Sequence, residues 1–138
     1  MPEIHGIVET ALYVADLDRA ERFYERVLGM RRIYWEEGRL HALAISAGHV
    51  LLLFRISAST RSTESPGGRI PPHDGHGQLH VAFGVTLEDV PAWRTRLNAE
   101  GVEIESEVDT PLGGKSLYFR DPDHHCIELV TPGTWTVY

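Results

Sequence analysis

The order of strand-like and helix-like segments along this chain is written twice, and a duplication constrains architecture more than any single motif does. Residues Ile4 to Val14 are rich in β-branched and apolar side chains and roughly alternate from Ile7, which predicts a strand. From Leu17 onward, apolar Ala20, Phe23, Tyr24 and Val27 recur at spacings of three and four. Asp16 stands where a helix is capped and Gly29 where one stops. Three strand-like runs follow, 31–35, 40–46 and 49–56, separated by Glu37-Gly38 and Ala47-Gly48, which are turn pairs. The same order then returns. Residues 78–85 read as a strand, 90–100 as a helix with Pro91 in its first turn and Gly101 as its stop, and 102–108, 115–120 and 126–131 as three strands. The fold class expected is α+β, a single domain over 1–138 made of two β-α-β-β-β modules. Module 1 covers 3–56 and module 2 covers 78–132, with a loop over 57–77 and a short tail over 133–138. The loop is polar, rich in Ser, Pro and Gly, and too long for an ordinary connection, so it reads as a linker or a lid.

Aligning the copies places Glu9 opposite His80 and Leu52 opposite Glu128. Glu9, His80 and Glu128 each interrupt an apolar strand with a ligand-type side chain, and burying such groups without partners is costly. Two carboxylates and an imidazole around one divalent cation would satisfy all three. Solvent exposure or salt bridges would do so separately.

Composition narrows the partners. Thirteen basic and twenty acidic residues give a net charge of −7, which argues against nucleic acid or an anionic membrane, since either selects a Lys/Arg surplus. No apolar run approaches the roughly 20 residues of a membrane span. The lone cysteine, Cys126, and the absence of a basic-then-apolar start at Met1-Pro2-Glu3 point to a cytoplasmic protein.

Several stretches carry a family likeness: Glu9-Thr-Ala-Leu-Tyr-Val-Ala-Asp-Leu, Phe23-Tyr24 with Val27-Leu28-Gly29, Leu79-His80-Val-Ala-Phe, and Ser116-Leu-Tyr-Phe-Arg-Asp-Pro-Asp with Ile127-Glu128-Leu129. Together they resemble the vicinal oxygen chelate superfamily, which includes glyoxalase I, fosfomycin-resistance thiol transferases, extradiol dioxygenases and bleomycin-resistance proteins. The resemblance covers nearly the whole chain. It implies two βαβββ modules forming a cupped half-barrel, one divalent metal ion (Mn, Fe, Ni or Zn) held by Glu9, His80 and Glu128, and a small-molecule substrate chelated through neighbouring oxygens. It also implies a homodimer, because such relatives pair modules within one chain or between two. Tyr118 and Glu9 are the expected catalytic residues, and Ser116, Tyr118 and Arg120 are expected to bind substrate.

Departures from the family pattern shape the expectation further. Glu9 stands where these families usually carry His or Gln, and Leu52 occupies the fourth ligand position of glyoxalase I, where it cannot coordinate. The Ser116-to-Leu129 run is nearly the fosfomycin transferase pattern, but 61–76 does not look like their ion-binding loop. The Gly-x-His element of extradiol enzymes is missing upstream of Tyr118, where Pro111-Leu112-Gly113-Gly114 stands. The alternative reading is a metal-free drug-binding protein of the bleomycin-resistance kind, with an acidic groove for a cation. Among the remaining residues, His73 and His76 read as loop residues, and His124 and His125 as surface residues. Arg120 either steers an anionic substrate or pairs with Asp121 or Asp123. Trp93 reads as core, and Cys126 as an inert buried thiol on the face opposite Glu128.

Overall fold

The computed structural model describes residues 1–138 as two compact units, Met1–His76 and Gly77–Tyr138. In the first unit, β1 (Glu9–Val14) leads into α1 (Leu17–Leu28), and β2 (Arg31–Glu36), β3 (Leu40–Ser46) and β4 (His49–Arg55) follow. The sheet order is β1-β4-β3-β2, with β1 parallel to β4 and the other pairs antiparallel. The α1 boundaries follow from local chemistry. Asp16 accepts the Arg19 backbone N–H at 2.9 Å, and Gly29 closes the helix at φ 71°, a left-handed conformation that disfavours a side chain.

Strand alternation gives this sheet two distinct faces. Leu12, Val14, Leu43, Leu51 and Leu53 are buried on the side of α1, where Ala20, Tyr24 and Val27 meet them. On the opposite face Glu9, Ala11, Tyr13, Ala42, Val50 and Leu52 line a cavity of about 860 Å³. Each buried leucine contributes roughly 1.5–3 kcal/mol by leaving water, so the helix-facing side holds the unit together.

The expected strand from Ile4 begins only at Glu9 in the structure. Before that point the chain makes isolated ties, Val50 N–H to the Val8 carbonyl and His49 Nδ1 to the Ile7 carbonyl. The 57–77 loop is also more structured than a linker. It contains a short hairpin, β5 (Thr63–Ser65) and β6 (Gly68–Ile70). Its return is pinned by Ser57 N–H to Asp74 Oδ1 at 2.9 Å and His73 N–H to the Ser59 carbonyl at 2.9 Å. Gly75 lies against the Tyr13 ring so closely that a Cβ there would stand 2.5 Å from Tyr13 Cδ2.

The second unit repeats the order: β7 (His80–Gly84), α2 (Val90–Ala99), β8 (Ser106–Asp109), β9 (Lys115–Arg120) and β10 (Cys126–Val130), in sheet order β7-β10-β9-β8. Its core takes Leu117, Phe119, Ile127 and Leu129 from the strands and Val90 and Leu97 from α2. Trp93, expected in the core, is only half-buried. The strand expected over 102–108 begins at Ser106, after Val102 N–H has bonded the Leu97 carbonyl and so extended the helix stop. No helix is long and apolar enough to cross a membrane.

Candidate functional site

The strand register reproduces the internal alignment residue by residue. Glu9 pairs with Val50 and Ala11 with Leu52 in the first unit, while His80 pairs with Cys126 and Ala82 with Glu128 in the second. Glu9 and His80 are thus equivalent, as are Leu52 and Glu128.

In the second unit, β10 presents Cys126, Glu128 and Val130 on one face and Ile127 and Leu129 on the core face, because side chains alternate along a strand. Cys126 is two positions from Glu128 and therefore shares its face, which corrects the expected opposite placement. It is also only partly buried. Across the antiparallel pair, Tyr118 on β9 lies directly opposite Glu128, and His80 stands one strand away on the other side. The sheet therefore brings His80, Glu128 and Tyr118 together. His80 Nε2 is 3.3 Å from Glu128 Oε2, and the His80 and Tyr118 rings are stacked with centroids 6.4 Å apart.

The second nitrogen of His80 settles the ring's orientation. Nδ1 lies 2.8 Å from the Cys126 carbonyl oxygen, which can only accept, so Nδ1 carries the proton and donates. In the neutral ring Nε2 then presents its lone pair to the Glu128 carboxylate, and Glu128 is 7 % exposed. Two acceptors facing each other at a mostly buried carboxylate call for a cation between them, either a proton or a metal ion. A carbonyl-oriented imidazole beside a carboxylate is a donor set that divalent metals use, so these residues fit such an ion.

Tyr118 is shaped by the same surroundings. Burial, and then its hydrogen bond to the Glu128 carboxylate, raise the phenol above its ordinary value, with the Ser116 hydroxyl acting in the opposite direction. It is therefore a protonated donor at neutral pH. Ser116 is buried two positions before it, on the same strand face. Arg120 continues that face, but its guanidinium is held by Glu105, with Nε to Oε2 at 2.7 Å, and it also donates to the His124 carbonyl. Its partner is thus neither Asp121 nor Asp123.

The turn before β10 explains how Glu128 is placed. Asp121 Oδ1 accepts the backbone N–H groups of Asp123 and His125, both at 2.9 Å, and His124 takes the positive φ of 63° that the tight turn demands. His125, expected at the surface, is fully buried. Its Nδ1 accepts the Leu79 backbone N–H at 2.9 Å, which ties the start of β7 to the start of β10 and so sets His80 against Cys126. The sequence signal available for this role was its alignment with His49, which also ties the first strand's approach, there by donating from Nδ1 to the Ile7 carbonyl.

In the first unit, Glu9 lines the cavity at the rim of β1 and Leu52 stands on its floor. The cavity wall is aromatic and apolar. His73, expected as a plain loop residue, hydrogen-bonds the Tyr13 hydroxyl at 2.8 Å and meets the Phe54 ring edge-on at 4.4 Å. Arg39 forms a bidentate pair with Glu36 and lies 5.5 Å from the Phe54 ring centroid.

Known proteins are similar to this chain over most of its length. A family profile described as the Glyoxalase/Bleomycin resistance protein/Dioxygenase superfamily matches residues 6–129. The metallothiol transferase FosB of Bacillus licheniformis is 28% identical over 130 residues, covering 94% of this chain and 77% of that protein. The crystal structure of a lactoylglutathione lyase from Agrobacterium tumefaciens is similar at a TM-score of 0.88 with 33% identity, covering 98% of this chain and 99% of that one. A fosfomycin resistance protein FosX from Listeria monocytogenes, solved with Mn(II) and 1S,2S-dihydroxypropylphosphonic acid, is similar at a TM-score of 0.66 with 26% identity, covering 92% and 90% of the two chains. With a repeated sheet topology and a family match spanning both units, the chain belongs to the Glyoxalase/Bleomycin resistance protein/Dioxygenase superfamily.

Proposed function

We propose that this protein is a divalent-metal-dependent enzyme acting on a small substrate that offers two neighbouring oxygens. His80 and Glu128 would hold the ion, and Glu9 would supply the further carboxylate. The observation that carries this reading is His80 Nε2 facing the Glu128 carboxylate at 3.3 Å while Nδ1 is committed to a carbonyl. When bound, the ion supplies Lewis-acid stabilisation of negative charge developing on substrate oxygen. Tyr118 donates a hydrogen bond to a substrate oxygen, since its raised pKa keeps the phenol protonated. Ser116 lies beside it as a second polar contact, and Glu9 is the base available on the first unit's cavity wall. Leu52, with no donor atom at the fourth ligand position, favours a three-residue ligand set. Relatives named as a metallothiol transferase, a lactoylglutathione lyase and a protein solved with Mn(II) support both the metal and the substrate class.

We also propose that it works as a cytoplasmic homodimer. The exposed apolar side chains Ile33, Tyr34 and Trp35 on β2, and Ile7 and Val8 ahead of β1, support a partner surface. The metal-free drug-binding reading draws on the same apolar cavity and on the acidic balance.

Metal analysis of protein purified without chelator separates the two readings. Stoichiometric divalent ion in the wild type, lost in both His80→Ala and Glu128→Ala, is the expected result. Wild-type protein without bound metal that retains affinity for a cationic drug, unchanged in those variants, would favour the binding protein. A panel of fosfomycin with thiol or water, hemithioacetals and catechols then assigns the reaction.

A further inference from the structure

A second group of metal-type ligands lies on the helix-facing side of the first sheet. Asp18 and Glu21 are three positions apart on α1, so both carboxylates project from one side of the helix. His41 lies on β3 between Leu40 and Ala42, which line the cavity on the other face, so alternation turns His41 toward α1. One ligand atom from each of the three residues lies within 4.8 Å of the others. Nitrogen and oxygen ligands about 2.0–2.2 Å from a tetrahedral zinc ion stand about 3.4 Å apart, so the side chains must draw in at the longest separation and part where two of them touch.

The state of His41 is the observation that points to a ligand. It is 6 % exposed, and its Nδ1 is buried without a hydrogen-bond partner. That nitrogen nevertheless touches Glu21 Oε2. An imidazole nitrogen held against a carboxylate oxygen out of water, without the directional geometry of a hydrogen bond, leaves both atoms available to a cation once they part to ligand spacing. Arg32 donates to the same Glu21 oxygen at 3.2 Å and so offsets one of the two carboxylate charges, while its guanidinium also lies 4.8 Å from the Trp35 ring centroid. A cavity of about 460 Å³, bordered by Asp18, His41, Trp35 and Arg55, opens beside the group and provides an entry path and room for water ligands.

We propose that Asp18, Glu21 and His41 form a second divalent-cation site, taking zinc or a similar borderline first-row ion, that staples α1 to β3. One nitrogen and two carboxylate oxygens are ligands zinc accepts readily, and the open side leaves water to complete the shell. The site is independent of His80 and Glu128.

The test uses the full chain carrying His80→Ala and Glu128→Ala, stripped with chelator and titrated with zinc chloride by equilibrium dialysis and elemental analysis. About one zinc ion per chain is expected, with affinity weakened more than about tenfold by either Asp18→Asn or Glu21→Gln, near-isosteric changes that spare the core. In the otherwise wild-type chain, the same two substitutions together should remove one zinc from the total bound, so the result stands even if the parent double variant folds poorly. Zinc binding left unchanged by both substitutions, or no zinc at this group in either background, overturns the proposal and leaves the His41–Glu21 contact to a shared proton. Neither outcome touches the His80–Glu128 reading, whose loss is measured in separate variants.

Discussion

At the residue scale, the chemistry turns on which atoms are already committed. His80 offers Nε2 because Nδ1 donates to the Cys126 carbonyl, and Tyr118 offers a proton because burial and Glu128 disfavour its phenolate. The two roles come apart under mutation. Tyr118→Phe removes the hydroxyl and leaves the ligands, so metal content should match wild type while kcat falls about a hundredfold or more on whichever panel substrate is turned over. Parallel loss of metal and activity in that variant would recast Tyr118 as a positioning residue for Glu128. The residue types were legible in the sequence because each interrupts an apolar strand. Their commitments were not, since the bond from His80 to Cys126 and the one from Leu79 to His125 each span 46 positions.

At the element scale, most boundaries obeyed local rules. Leu40–Ser46 and Lys115–Arg120 form as the alternation predicts, and α1 starts and ends at its cap residues. Gly29 and Gly75 show two different uses of glycine. A Cβ on Gly29 would meet nothing within 4 Å, so its requirement is the positive φ alone, whereas Gly75 is needed for the space beside Tyr13. Gly29→Ala should therefore destabilise the protein by about 1–2 kcal/mol in urea denaturation, without altering activity. The missed features at this scale were the β5–β6 hairpin and the early end of pairing before Glu9. Both are decided by what the segment meets, since 4–8 has strand-like residues and only scattered backbone partners.

At the scale of the whole molecule, each unit has one face closed by its helix-side core and another left to function. The first unit's open face holds an apolar, aromatic cavity with Glu9 at its edge, and the second unit's holds His80, Glu128 and Tyr118. The exposed apolar residues of β2 and the N-terminal segment should be covered in solution. Sedimentation at micromolar concentration is expected to give a species of twice the 15.5 kDa chain mass, and a monomer at that concentration would remove the partner surface from the proposal. What the sequence by itself determined is the duplicated module order, the two faces of each sheet and the equivalence of Glu9 with His80, because periodicity and turn chemistry act over a few residues. The shared face of Cys126 and Glu128 follows from strand alternation, whereas tertiary structure alone decided that His125 is a buried tie and that His41 meets Glu21 across the helix–sheet interface. Those outcomes depend on which distant side chains converge in a place without water, where an unmatched polar atom must find a partner or a cation.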